Sequence, residues 1–131
     1  MIQLAQEMKD FVGRPDVGKV LASVSADGYP NIGPKGTICV YDDGALAFLE
    51  FVGKQHYENL KNNPRAAIAC IDFAGRQGYR FVGDAEVHES GEVFDKLSAP
   101  FPPERKPRAV VVIRVERVYA LGGAQVGERI L

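Results

Sequence analysis

The stretch FVGKQHYENLKNNP, residues 51–64, joins an apolar run to a short helix that a proline ends. The predicted helix covers 54–63, because proline cannot continue a helix and constrains the residue before it. Its first turn carries Lys54, Gln55 and His56, although cations are unfavourable at the positive end of a helix dipole. A bound phosphate would remove this conflict, because free backbone N–H groups, an ammonium and polar donors would all favour a dianion. A solvated surface lysine is the simpler alternative, and this stretch alone leaves both interpretations open.

Apolar runs on both sides of this helix predict strands, and similar runs recur along the chain. Six strands are predicted in all, over 19–26, 29–41, 45–52, 65–73, 79–89 and 109–121. The last contains AVVVIRV, a continuous apolar run that predicts cover on both faces. Tight turns such as Asp27-Gly28 join most successive strands, so the sheet should be mainly antiparallel and closed into a barrel. With short helices also predicted over 3–12 and 90–97, the sequence indicates a mainly β fold in one domain, 1–131.

Composition excludes several classes of partner. The chain of 131 residues has a net charge of −1 and a pI of about 6.1, which argues against nucleic acid or an anionic membrane as the main partner. No segment has the length of a transmembrane helix and no secretory signal is recognised, so a cytoplasmic location is predicted. Cys39 and Cys70 each lie among apolar neighbours, which favours buried free thiols over a disulfide.

Familiar catalytic motifs are missing from the sequence. There is no G-x-S-x-G elbow, H-E-x-x-H helix, G-x-G-x-x-G turn or P-loop. The two histidines, His56 and His88, are too far in sequence from the cysteines for a local zinc motif. We therefore predict no metal site and assign no catalytic residue.

The segment DGYPNIGPKGT, residues 27–37, contains two prolines and three glycines and cannot pair normally along its whole length. An irregular edge strand is the simpler interpretation. The functional alternative is that small side chains leave room here for a flat ligand, with Lys35 as a fixed cation beside it.

These segments resemble a known family when they are taken in order. The hairpin DGYP, the helix motif NLKNNPR (59–65) and the strand GYRFVGDAEV are similar to the pyridoxamine-5′-phosphate-oxidase-like flavoproteins, which are split β-barrels that bind FMN. The resemblance runs from about Gly18 to Val87 and includes the terminal strand at 110–118. It implies a six-stranded antiparallel split β-barrel of the FMN-binding type.

The resemblance also implies a cofactor site. The implied FMN-binding residues are Pro34, Lys35, Gly36, Thr37, Glu50, Phe51, Val52, Lys54, Gln55 and His56. Those that open the helix would hold the phosphate, and those at 34–37 would lie beside the isoalloxazine ring. The strand before the helix would contribute the residues at 50–52. Members of the family are homodimers with flavin at the subunit interface, so a partner chain would complete the site.

The implied function is that of an oxidoreductase in which FMN mediates electron or hydride transfer, with an unknown small molecule or protein as electron partner. Two other cofactors remain open for the same barrel. One is haem, with His56 or His88 as the axial ligand, and the other is the deazaflavin F420. A cofactor-free binding module is an alternative from a different class. The absorption spectrum of the purified protein would separate these alternatives.

Overall fold

The structure, a computed structural model, describes residues 2–131. Three helices and seven strands follow one another along the chain: α1 (Gln6–Val12), β1 (Gly18–Val24), β2 (Pro30–Pro34), β3 (Cys39–Asp42), β4 (Ala45–Glu50), α2 (Gln55–Asn62), β5 (Arg65–Asp72), β6 (Gln77–His88), α3 (Glu92–Ser98) and β7 (Ala109–Ala120). A single 3-10 turn, Pro103–Arg105, interrupts the proline-rich loop before β7. None of the helices described is long and apolar enough to cross a membrane.

All seven strands form one antiparallel sheet in the order β2-β1-β5-β6-β7-β4-β3. The edge strands β2 and β3 are consecutive in the chain and are joined only by residues 35–38. Such a connection spans less than about 20 Å even when fully extended, so the two edges lie near each other and the sheet curls into a barrel that is split between them. This confirms the predicted mainly β, antiparallel split-barrel class.

The number of strands differs from the prediction of six. The single strand expected over 29–41 is two strands, β2 and β3, on opposite edges of the sheet. The break follows Pro34, which has no N–H to donate to a ladder. In the segment 35–38, which crosses from one sheet edge to the other and is called the crossing segment, the Thr37 hydroxyl replaces a backbone hydrogen-bond partner. It accepts the Leu49 N–H at 3.0 Å and donates to the Leu49 carbonyl at 3.3 Å.

Strand β4 and the first part of β7, residues 109–113, are buried on both faces. The apolar run in the last strand predicted this burial for β7. Inside the barrel, Leu46 and Phe48 pack with Val111 and Ile113. Outside it, the small side chains of β4 and Val112 form a second cluster that side chains of α3 cover. Burial on both faces explains why these strands read as continuous apolar runs rather than as alternating ones.

The two cysteines lie in different environments. Cys70 is fully buried in β5, and burial raises the pKa of its thiol to about 11. The predicted burial of Cys39 is wrong, because it lies on the outward face of the edge strand β3 and is exposed. Both thiols are free, as expected.

Helix α2 covers one end of the barrel and packs on β1 and β6. Its Leu60 belongs to the main core, and Tyr57 and Asn59 are also buried. The helix thereby places its first turn where the edge strand β2 and the end of β4 come together.

Candidate functional site

A groove of about 290 Å³ lies where β2, the end of β4 and the start of α2 meet. It adjoins a second cavity of about 500 Å³ along the β1–β2 hairpin, since Asn31 and Gln55 line both. Seven of the ten residues implied by the resemblance line the groove: Pro34, Lys35, Glu50, Val52, Lys54, Gln55 and His56. Segments far apart in the sequence are thus brought to one surface.

The other three residues lie elsewhere. Gly36 is exposed on the crossing segment, and a Cβ built on it would have no atom within 4 Å. Thr37 lines a small apolar cleft beside Cys39 on the outer side of β4. Phe51 turns away and packs edge-to-face on Phe101, with ring centroids 5.3 Å apart.

At the strand end of the groove, a buried ion pair holds Lys35 in place. Its Nζ lies 2.7 Å from Oε1 of Glu50, whose side chain is only 2% exposed. Glu50 points into the barrel because it shares a strand face with Leu46 and Phe48. Its second oxygen accepts the N–H groups of Val52 and Gly53, each at 3.2 Å. The cation is therefore fixed and has its counter-ion within the chain.

At the helix end, the polar groups have no such partners. Lys54 occupies the N-cap position of α2, and no side chain caps the helix. The ammonium is exposed and forms no ion pair within residues 2–131. An uncapped helix N-terminus beside a cation is a favourable environment for an anion.

His56 contributes a neutral imidazole to the same end. Its Nδ1 lies 2.7 Å from the hydroxyl oxygen of Ser23, and its Nε2 is buried with no hydrogen-bond partner among the described residues. Burial lowers the pKa of His56, the Lys35 charge lowers it further, and Glu50 opposes them. A neutral imidazole carries one N–H donor, and a buried donor without a partner is costly.

His88, the other histidine considered for haem, does not line this groove. It lies on β6, with Nε2 3.4 Å from a carboxylate oxygen of Glu86. Within residues 2–131, no three His, Cys, Asp or Glu side chains are placed to hold a metal ion.

Ser23 and Asn59, which lie behind the groove, are not among the site residues predicted from the sequence. Each is 2% exposed, and Asn59 donates its amide to Ser23 Oγ at 3.0 Å. The position of each residue in the sequence pattern could have indicated its burial. Ser23 is two residues after Leu21 and lies on the same inward face of β1, and Asn59 lies between Tyr57 and Leu60, which are both buried. A polar residue at an inward position implies a buried hydrogen bond.

Apolar side chains surround the groove. Ile32 and Val52 line it while 72% and 62% exposed, and Tyr29 beside it is 73% exposed. Ile32 pairs with Ala22 of β1, which pairs in turn with Ala67 of β5. These paired residues form an outward apolar row that leads from the groove across the sheet.

Comparisons with known proteins agree with this architecture. The family model described as pyridoxamine 5′-phosphate oxidase matches residues 4–122. HupZ of Group A Streptococcus is 33% identical, with a TM-score of 0.83 over 95% of this chain and 99% of that chain. The uncharacterized protein MJ0282 of Methanocaldococcus jannaschii is 27% identical over 129 residues, covering 92% of this chain and 83% of that protein.

A third comparison concerns the fold alone. An FMN-binding protein from Syntrophomonas wolfei has a TM-score of 0.75 at 13% identity, over 90% of this chain and 86% of that chain. The family model covers nearly the whole chain, and its extent matches the strands of the split barrel. The chain therefore belongs to the pyridoxamine 5′-phosphate oxidase family.

Proposed function

We propose that this chain is an FMN-binding flavoprotein and acts as an oxidoreductase through the flavin. One observation carries the proposal: three features meet at one groove. They are the uncapped start of α2, the Lys54 ammonium and Nε2 of His56, and neither side-chain group has a partner among residues 2–131. All of these groups favour or can donate to an anion such as a phosphate monoester. The FMN-binding protein from Syntrophomonas wolfei shares this fold, which supports a flavin as the ligand.

The residues of the groove divide the binding between them. Lys54, Gln55 and His56 would hold the phosphate, and Pro34 and Lys35 would lie beside the ring. When bound, the flavin supplies the electron or hydride transfer. The chain supplies position and charge: Glu50 fixes the Lys35 ammonium, which favours an electron-rich ring beside it.

We further propose a homodimer in which the partner chain covers the groove. A monomer of 14.3 kDa is expected to expose about 6,800 Å², whereas this chain exposes 7520 Å². The exposed Ile32, Val52 and Tyr29 would be covered in such a dimer. Pro30 and Pro34 prevent regular extension of the sheet at β2, so the copies would associate through faces rather than through this edge.

The test is a fluorescence titration of the ligand-free protein with FMN. The Lys54→Ala variant should bind FMN about tenfold more weakly, because it loses one charge-assisted contact. Lys96→Ala, which removes an exposed lysine from α3, is the matched control and should bind like the wild type. Equal affinity of the Lys54→Ala variant and the wild type would contradict the phosphate role.

F420 is the second candidate, and one observation favours it. The Arg108 side chain lies over Gly53, next to Lys54, and the Arg105 guanidinium lies 5.9 Å from the centre of the Phe51 ring. Neither guanidinium has an ion-pair partner in the part of the chain that the structure describes. Such cations suit the long anionic tail of F420, and an F420 reductase has this fold at 23% identity with a TM-score of 0.67.

The two cofactors can be separated by the same titration. If F420 is the ligand, the Arg105→Ala/Arg108→Ala double variant should lose affinity for F420. If FMN is the ligand, this variant should lose less affinity for FMN than Lys54→Ala does, because only Arg108 lies next to Lys54. A Soret band in the purified protein would instead indicate haem, and a colourless protein that binds none of the three would indicate a cofactor-free module.

A further inference from the structure

A chain of polar side chains runs from the surface of α2 to the imidazole of His56. Gln55 Nε2 lies 2.6 Å from Asn59 Oδ1, Asn59 Nδ2 lies 3.0 Å from Ser23 Oγ, and Ser23 Oγ lies 2.7 Å from His56 Nδ1. The two middle members are each 2% exposed. Water cannot replace these bonds easily, so the direction of each one matters.

The directions can be followed from one end to the other. Gln55 donates to the carbonyl oxygen of Asn59, whose amide nitrogen then donates to Ser23 Oγ. Ser23 Oγ accepts the Asn59 amide, and among the described residues its own hydroxyl proton has only His56 Nδ1 as an acceptor within hydrogen-bond distance, so the hydroxyl donates to Nδ1. A neutral imidazole that accepts at Nδ1 carries its proton on Nε2.

The Nε2 atom lies beside Gly33, on the side where any other residue would carry its Cβ. It is buried and has no partner within residues 2–131. A Cβ built on Gly33 would lie 3.6 Å from Nε2. Apart from atoms of the two neighbouring residues in the chain, no other atom would lie within 4 Å of it. Gly33 and His56 both line the groove. The missing side chain thus leaves space beside a donor that has no acceptor.

We propose that Ser23 and Asn59 are positioning residues that hold His56 in the Nε2–H tautomer, so that this N–H donates to a ligand oxygen entering over Gly33. The inference rests on the proposed function, because the phosphate of FMN supplies such an oxygen. Lys35 and Glu50 are the charged groups that act on this imidazole, with opposite signs. Ser23 supplies the direct contact that selects the nitrogen that carries the proton.

The first test reads the tautomer without any ligand. Long-range 1H–15N spectra of protein labelled with 15N-histidine should show His56 protonated at Nε2, with His56→Gln used to assign its signals. Ser23→Ala should change the Nδ1 and Nε2 shifts toward a mixture of tautomers, and Ser23→Thr, which keeps the hydroxyl, should restore the wild-type pattern. A proton on Nδ1 in the wild type, or unchanged shifts in Ser23→Ala, would overturn the inference.

The second test reads the ligand contact. Ser23→Ala should weaken FMN binding about fivefold, the equivalent of one hydrogen bond, and Ser23→Thr should restore the affinity. Gly33→Ala should also weaken binding, because its methyl group would fill the gap beside Nε2. Gly13→Ala is the matched control, because Gly13 ends α1 outside the groove and a Cβ there meets only backbone oxygens, at 3.5 and 3.7 Å. It should bind FMN like the wild type.

The outcomes separate this inference from the proposed function. If the wild type binds FMN while Ser23→Ala and Gly33→Ala bind it equally well, the positioning inference is wrong and the FMN function stands. If the wild type does not bind FMN, the proposed function fails and the ligand contact fails with it. In that case the spectra of the ligand-free protein still decide whether Ser23 sets the tautomer.

Discussion

At the strand end of the groove, Lys35 has a carboxylate 2.7 Å away, and that carboxylate also accepts two backbone N–H groups. At the helix end, Lys54 has no counter-ion in the described chain, α2 has no side-chain cap, and His56 has a buried nitrogen without a partner. The two ends thus use similar residue types in opposite ways. The strand end is complete within the chain, and the helix end is incomplete without a further molecule.

The two ends therefore separate substitutions that should act on the fold from substitutions that should act on ligand binding. A buried polar group that has its partners contributes to stability when it is kept and destabilises strongly when one partner is removed. An exposed cation without a partner contributes little to folding. We therefore expect the strand end to govern the free energy of unfolding and the helix end to govern ligand affinity.

Glu50→Ala should have the largest effect on stability. It leaves the mostly buried Lys35 without a counter-ion and two N–H groups without an acceptor, so the free energy of unfolding should fall by about 3 kcal/mol. Urea denaturation measures this loss. Glu50→Gln keeps one acceptor and should lose less, and Lys54→Ala should stay close to the wild type. Equal losses in Glu50→Ala and Lys54→Ala would remove the distinction between the two ends.

Thr37→Val should have an intermediate effect. The hydroxyl bonds both the N–H and the carbonyl of Leu49 where the chain crosses between the sheet edges. Valine has a similar shape without these bonds, so the free energy of unfolding should fall by about 1–2 kcal/mol. Thr37→Ser keeps the hydroxyl and is the control in the same denaturation series. A Thr37→Val variant as stable as the wild type would show that the crossing segment does not depend on this hydroxyl.

His56 should give the smallest effect, and it should appear only as a dependence on pH. Burial lowers the pKa of His56 below its ordinary 6.5 in the folded protein, so the unfolded chain takes up the proton first as the pH falls. The stability from neutral His56 is therefore fully present above pH 6.5 and is lost as the pH falls through the folded pKa.

The measurement compares the free energy of unfolding of the wild type with that of His56→Gln at three pH values about one unit apart, roughly 7.5, 6.5 and 5.5. The wild type should lose more stability toward low pH than the variant does. His88 is present in both proteins and cancels in the comparison. Parallel pH curves would show that the helix end does not hold this imidazole neutral.

The sequence predicted most of the fold because its elements have local signals. The apolar runs of β4 and β7 and the proline after α2 placed those elements within about two residues. The crossing of the chain from β2 at one edge of the sheet to β3 at the other could not be predicted in the same way. Both halves of 29–41 favour a strand, and only the closure of the barrel brings them to opposite edges.

The site was predictable only where a charge or a glycine marks the surface. Lys54 and Lys35 stood out against their neighbours, and the structure brings both to one groove. Ser23 and Asn59 did not stand out, because a single polar residue in a half-apolar segment is common in any protein. Their importance comes from a bond between residues 36 positions apart, which no local pattern contains.

The burial of Cys70 gives the protein an internal reporter of its own opening. Raising the thiol pKa from 9.0 to about 11 lowers the reactive thiolate fraction roughly a hundredfold at neutral pH. Cys39 on the outer face is exposed, and although partial burial also raises the pKa of its thiol, it should react first with alkylating reagents. The rate at which Cys70 becomes labelled would therefore report how often β5 separates from its neighbours. A bound ligand that stabilises the barrel would lower this labelling rate.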